Sequence, residues 1–217
     1  MRSGSSSVRR ARTLALTGLL AATALVALPP LAASATSYGV NLVKNGGAEN
    51  GTSGWETFLN PSSHKYGSSG LGFPSKTTSN QIGGGSRFFY AGPLDTGLQE
   101  CGDLQQQWTL SGIGSEIDKG HVKVRLRGYA GTNGAADLNA HLDLYFRDSQ
   151  NHQVASNGIT KTATSTNEHY VRYDVTKTLS KHTRILRIHL WADGDATISS
   201  GDCQAFWDNL SVVLIHN

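Results

Sequence analysis

Short apolar–polar alternations fill the chain from about residue 40 onward, separated by turn residues. A period of two is the mark of a half-buried strand. Over 121–129, Val122, Val124 and Leu126 point one way while Lys123, Arg125 and Arg127 point the other. Over 140–147, Leu142, Leu144 and Phe146 alternate with His141, Asp143, Tyr145 and Arg147. Over 170–176, Val171, Tyr173 and Val175 alternate with Arg172 and Asp174. Over 184–191, Leu186, Ile188 and Leu190 alternate with Arg187, His189 and Trp191. Further strands are expected over 40–44, 55–59, 87–91, 104–110, 152–156 and 205–215, about ten in all. The Gly- and Ser-rich stretch 62–85 reads as long loops, and Thr132-Asn133-Gly134 and Asp193-Gly194 as turns. Four strands with one apolar and one polar face require two packed antiparallel sheets, so the expected class is all-β.

The first 35 residues follow a different pattern. Arg2, Arg9, Arg10 and Arg12 precede an apolar run from Leu14 to Leu28, then Pro29-Pro30 and the small residues Ala33-Ser34-Ala35. That is the layout of an export signal, which makes 36–217 the mature chain and its expected location extracellular. Its removal changes the charge: 19 basic residues against 16 acidic become 15 against 16. The net charge of +3 therefore belongs to the leader. A basic nucleic-acid surface is not expected. No other apolar run reaches the roughly 18 residues of a membrane span. Two cysteines, Cys101 and Cys203, remain in an oxidising setting, and a disulfide between them is expected. It would close a loop of about 100 residues, with a stabilisation of about 4–5 kcal/mol on chain entropy.

The two ends of the mature chain carry the clearest motifs. Asn41-Leu42-Val43-Lys44-Asn45-Gly46-Gly47-Ala48-Glu49 is followed by Gly54-Trp55, and the last strand holds Phe206-Trp207-Asp208-Asn209-Leu210-Ser211-Val212. In these segments the sequence resembles the jelly-roll carbohydrate-binding modules of secreted bacterial glycosidases, within the galactose-binding-like sandwiches. The resemblance implies a two-sheet antiparallel β-sandwich of jelly-roll type, one domain over 36–217. It also implies one structural calcium, Ca2+, held by the carboxylates of Glu49 and Asp208, the carbonyl of Gly47 and a carbonyl near Arg87. Carboxylates and carbonyls are the hard oxygens that calcium takes. Ala48 stands where the family has Phe.

Catalytic motifs are missing from the sequence. There is no Gly-x-Ser-x-Gly elbow, no His-Glu-x-x-His helix and no phosphate-cradling glycine loop. Apart from Glu49, the glutamates Glu56, Glu100, Glu116 and Glu168 lie in or near expected turns. Asp143 and Asp174 share the polar strand face, which leaves an acid pair open. The polar faces offer aromatic platforms in Trp191, Tyr145 and Tyr129. They offer hydrogen-bonding groups in Arg125, Arg127, Arg187, Asp143, His141 and His189. Flat rings against sugar C–H faces with a few placed polar groups are what a glycan site needs. The same strands also read as a solvated face of Arg–Asp cross-strand pairs. Loops around Trp55, Tyr66 and Phe73 are a competing site, and Trp108 and Trp207 read as core. The expectation is a secreted, non-catalytic, monomeric protein that binds a polysaccharide or glycoconjugate. A protein-binding sandwich of adhesin or inhibitor type, and a small polysaccharide hydrolase or lyase, stand as alternatives.

Overall fold

Alternation becomes strand wherever both the period and a partner are present. The computed structural model describes residues 36–69, 72–93, 101–133, 138–154, 158–164, 170–194 and 202–217. The leader expected over 1–35 lies outside the described residues, as do Glu100, Gly134, Glu168 and Asp195. The elements in order are β1 (Glu56–Phe58), β2 (Ser62–Lys65), α1 (Lys76–Ile82), β3 (Arg87–Pro93), β4 (Asp103–Thr109), α2 (Gly114–Asp118), β5 (Val122–Thr132), β6 (Leu138–Arg147), β7 (Ile159–Ala163), β8 (Val171–Thr178), β9 (Ile185–Gly194) and β10 (Asp202–His216). They form two five-stranded antiparallel sheets, β1-β4-β9-β6-β7 and β2-β3-β10-β5-β8. From β4 to β6, and again from β7 to β10, the chain changes sheet at every step. This is the jelly-roll sandwich.

The core lies between the sheets. Leu104, Leu142, Leu144, Phe146, Leu186, Ile188 and Leu190 come from the first sheet. Phe89, Val122, Val124, Leu126, Trp207, Val212 and Leu214 come from the second. Trp207 of β10 donates its indole N–H to the carbonyl of His141 in β6, 2.9 Å away, a polar tie between the sheets. The disulfide Cys101–Cys203 joins the segment entering β4 to β10, and so also bridges the sheets.

Several expected elements differ. The segment 40–44 makes a single bridge, Asn41 to Val213. The Asn41 side chain accepts the backbone N–H groups of Val43 and Val212, taking the place of a strand partner. Pinning by Gln106 holds Lys44, whose backbone it meets at both N–H and C=O. The stretch 62–85 is more than loop: β2 pairs with β3, and α1 starts at an N-cap where Ser75 accepts from the Thr78 N–H. Among the described residues of 152–156, Gln153 makes an isolated bridge to Arg147, and the next strand is β7. Asp193-Gly194 ends β9 and does not turn. Glu56 sits in β1 and Glu116 in α2.

Candidate functional site

The outer face of the first sheet is built in straight rows across the strands. In one row Phe58 of β1 pairs with Asp103 of β4, and the ladder continues through Trp191 of β9, His141 of β6 and Thr162 of β7. In the next row stand Glu56, Gln105, His189, Asp143 and Thr160. Gln107, Arg187 and Tyr145 form the third. Thus Trp191, His189, Arg187, Tyr145, Asp143 and His141 share one face. Gln107, Asp103 and Phe58 join them, although the sequence pattern did not single these out.

Hydrogen bonds fix the face. Asp143 is buried, and its Oδ2 accepts from the Trp191 indole N–H at 2.8 Å and the Tyr145 hydroxyl at 2.9 Å. Burial, with the Asp143 carboxylate beside it, pushes the Tyr145 phenol up to about 12. His141 stacks on Trp191, ring centres 3.8 Å apart and planes 8° off parallel. Its Nδ1 meets the Thr162 hydroxyl at 3.0 Å, while its Nε2 lies 3.2 Å from Asp193 Oδ2 without hydrogen-bond geometry. His189 meets Asp103 Oδ2 at 3.0 Å, and Arg187 places two N–H groups on Gln107 Oε1. One oxygen each of Asp103 and Asp143, Oδ1 in both, is buried with no hydrogen-bond partner among the described residues. A buried acceptor without a donor is costly, and neither oxygen is open to solvent.

Imidazole from His141 covers the Trp191 indole on the β6 side. On the β4 side the row holds Asp103 and then Phe58, which is 46% exposed, one of two large apolar side chains so exposed among the described residues. Phe58 and Trp191 are two strand spacings apart, about 9–10 Å. Van der Waals contact on both faces of a sugar ring needs about 7–8 Å, from contact distances of roughly 3.5–4.0 Å. At the β1–β4 edge the face runs into an open hollow of about 250 Å3 beside Lys44, Gly54, Glu56, Gln105, Gln107 and Trp108.

Arg125, Arg127 and Tyr129 are elsewhere. They lie on β5, in the second sheet, with their side chains on that sheet's own outer face. Asp174 of β8 holds Arg125 through two bonds, at 2.6 and 2.7 Å, with Arg127 and Arg172 at 3.4 and 3.5 Å. The Arg125 hydrogen bonds hold the Asp174 carboxyl down at about 2. This is a cross-strand charge ladder. It also places Asp174 on the opposite side of the sandwich from Asp143, so those two carboxylates do not face each other across a ligand. Parity ranks faces within a strand, but only the topology says which sheet a strand joins. The loop aromatics of the competing site are divided between two clusters. Trp55 packs on Phe89 in the core, while Tyr66 and Phe73 pack with Phe88, Tyr90 and Phe206 in a second apolar cluster outside β3 and β10.

Glu49 and Asp208 converge beside that second cluster. Asp208 is fully buried; its Oδ2 accepts from the Tyr66 hydroxyl at 2.5 Å and its Oδ1 from the Asn209 N–H at 2.6 Å. Burial pushes its carboxyl up to about 7, assisted by Glu49 and opposed by the two hydrogen bonds. Glu49 accepts from the Ser86 N–H at 2.8 Å, the Arg87 N–H at 3.0 Å and the Ser86 hydroxyl. Burial raises its carboxyl, and these bonds outweigh it and leave it lowered. Gly47, Gly84 and Gly85 line the space between. A Cβ on Gly84 would strike Asp208 Oδ2, one on Gly85 would strike Glu49 Oε1, and one on Gly47 would lie 3.6 Å from Asp208 Oδ1. Two carboxylates without a cation partner at Asp208, in a cradle that a side chain would fill, fit a hard cation. Ala48, in the position that the family fills with Phe, is completely buried.

Comparison with known proteins supports the fold. No family model matches the sequence, and no curated protein matches it. Among solved structures, the enzymatically active domain of tailspike protein 4 of bacteriophage CBA120 matches with a TM-score of 0.54 and 15% identity, over 81% of this chain and 21% of that chain. This chain thus spans about a fifth of that domain's length. A family 16 carbohydrate-binding module matches at 0.49 and 17% identity, over 80% and 99%. A xylan-binding domain from Paenibacillus barcinonensis matches at 0.45 and 12%, over 84% and 99%. The first of these likenesses, at 15% identity, shows a shared fold and nothing of function.

Proposed function

We propose that this is a secreted, non-catalytic glycan-binding protein whose ligand lies on the outer face of the first sheet. The row Phe58–Asp103–Trp191 carries the reading: two aromatic side chains flank a short acidic floor at a spacing that admits a sugar ring. Gln105 and His189 supply polar contacts for hydroxyls along the next row. The disulfide and the leader-like start support export. Among the described residues no helix is long and apolar enough to cross a membrane. A calcium ion between Glu49 and Asp208, with the Gly47 carbonyl, would fix the N-terminal segment onto β10. It lies on the other sheet and would be structural.

Binding to insoluble polysaccharides and arrayed glycans tests the reading. Trp191→Ala is expected to weaken binding by about thirtyfold or more, as an aromatic anchor does. Phe58→Ala and Asp103→Ala are expected to weaken it as well. Arg125→Ala with Arg127→Ala, on the opposite face, leaves it unchanged. A folded protein that binds no glycan, or whose binding ignores Phe58 and Trp191 but follows the arginines, overturns the assignment.

A further inference from the structure

A third group of side chains lies apart from both regions described above. Glu116 comes from α2, His121 from the turn before β5, and His216 from the last position of β10. Their ligating atoms all fall within 4.8 Å of one another. Glu116 Oε2 is 2.9 Å from His121 Nδ1 and 3.7 Å from His216 Nε2. Both imidazoles therefore aim a ring nitrogen at one carboxylate oxygen.

Backbone contacts hold the three together. The His121 N–H donates to the Glu116 carbonyl at 2.9 Å, and the Asn217 N–H donates to the His121 carbonyl at 2.9 Å. Val122 and His216 are paired in the β5–β10 ladder. The edge of the Tyr38 ring packs on His216 at 5.2 Å. The cation at this cluster, Lys119, takes the other oxygen, Glu116 Oε1, at 3.0 Å and is mostly exposed. Oε2 is thus left to the two histidines.

We propose that Glu116, His121 and His216 bind a borderline transition-metal cation, Zn2+ foremost. Two imidazoles and one carboxylate are an established zinc donor set, with bonds of about 2.0–2.2 Å. Ligand atoms on such a tetrahedron stand about 3.3–3.4 Å apart. The two separations, 2.9 and 3.7 Å, bracket that value. Nitrogen donors exclude calcium in favour of zinc, cobalt, nickel or copper. The exposed position leaves at least one coordination site for water. His216 lies eight residues along β10 from Asp208, roughly 26–27 Å at strand rise, so this site is independent of the Glu49–Asp208 pair. The bound ion would clip the end of β10 to α2.

The test uses the full chain without an affinity tag, stripped of metal and kept above the ordinary histidine range so that both rings are neutral. Zn2+ is titrated calorimetrically in excess Ca2+, and Co2+ is followed by its visible absorption. Saturation at one ion per chain is expected, with cobalt bands that carry a nitrogen-ligand signature. His121→Gln and His216→Gln are each expected to weaken zinc binding by more than about tenfold, the loss that even an outer-shell partner causes. Glu49→Gln is expected to leave it unchanged. Absence of saturable binding overturns the proposal, as does binding that survives both histidine substitutions. Both rings are exposed, so each variant is expected to fold; if one does not, the other carries the test.

Discussion

Asp208 shows what a single residue contributes at this scale. Its carboxyl is pushed up to about 7 against an ordinary 3.8. In the metal-free protein, a group raised in the folded state gives its full stability below the unfolded value. That stability is lost as pH rises through the folded one. The expected loss between about pH 4 and pH 7 is up to about 4 kcal/mol, from roughly three pKa units. A Ca2+ ion bound as proposed would remove the cost and flatten the slope. Urea midpoints across that range, with calcium and with chelator, check this. A flat profile in both, or a slope in chelator that survives Asp208→Asn, would contradict it. The pair Glu49 and Asp208 was legible in the sequence because the end motifs are local strings. Phe58 and Asp103 were not legible, because their meaning comes from pairing with a strand some ninety residues away.

Elements show the same division. β5, β6, β8 and β9 follow strict alternation, and the sequence places their faces correctly. β10 does not keep one parity. Ala205 and Trp207 face inward, then Leu210, Val212 and Leu214 do, with a register shift between Asp208 and Ser211. Asn209 absorbs the shift at φ 51°, and its side-chain amide donates to the Ile82 carbonyl at the end of α1. Asn tolerates this left-handed conformation and a β-branched residue does not. Asn209→Val is expected to cost about 2–3 kcal/mol, the sum of backbone strain and one hydrogen bond. Chemical denaturation measures it, and a loss under about 0.5 kcal/mol would show that the bulge relaxes freely. α1 escaped the sequence reading for a different reason. Its segment KTTSNQI contains one apolar residue, so it has no periodicity, and only the Ser75 and Gly83 caps mark it.

For the whole molecule, the deciding fact is how strands are dealt between sheets. Four similar polar faces look alike by parity, which cannot say whether they share a sheet, and the topology divides them. β6 and β9 carry Trp191 and its neighbours, while β5 and β8 carry a charge ladder of Arg125, Arg127, Arg172 and Asp174. Strands adjacent in sequence lie in opposite layers in this fold, which no local pattern reveals. The aromatic row and the charge ladder therefore face away from each other. A flat multivalent ligand seated on one leaves the other free.

The disulfide divides the chain in another way. Cys101 and Cys203 close a covalent ring of 102 residues that contains β4 through β9, with β1 to β3 and most of β10 outside it. Under tension between its two ends, such a protein pays out only the flanking segments. The ring stays shut however far the sandwich is disrupted. Reduction is expected to lengthen the fully stretched chain by about 340–370 Å, at 3.3–3.6 Å per freed residue. A single-molecule extension trace with and without reductant reads that difference directly, and equal lengths would show that the bond does not form. For a protein fastened to a polymer in flow, nearly half of the chain, including the strands that bear Asp103, Asp143 and Trp191, is sheltered inside a loop that force cannot unspool.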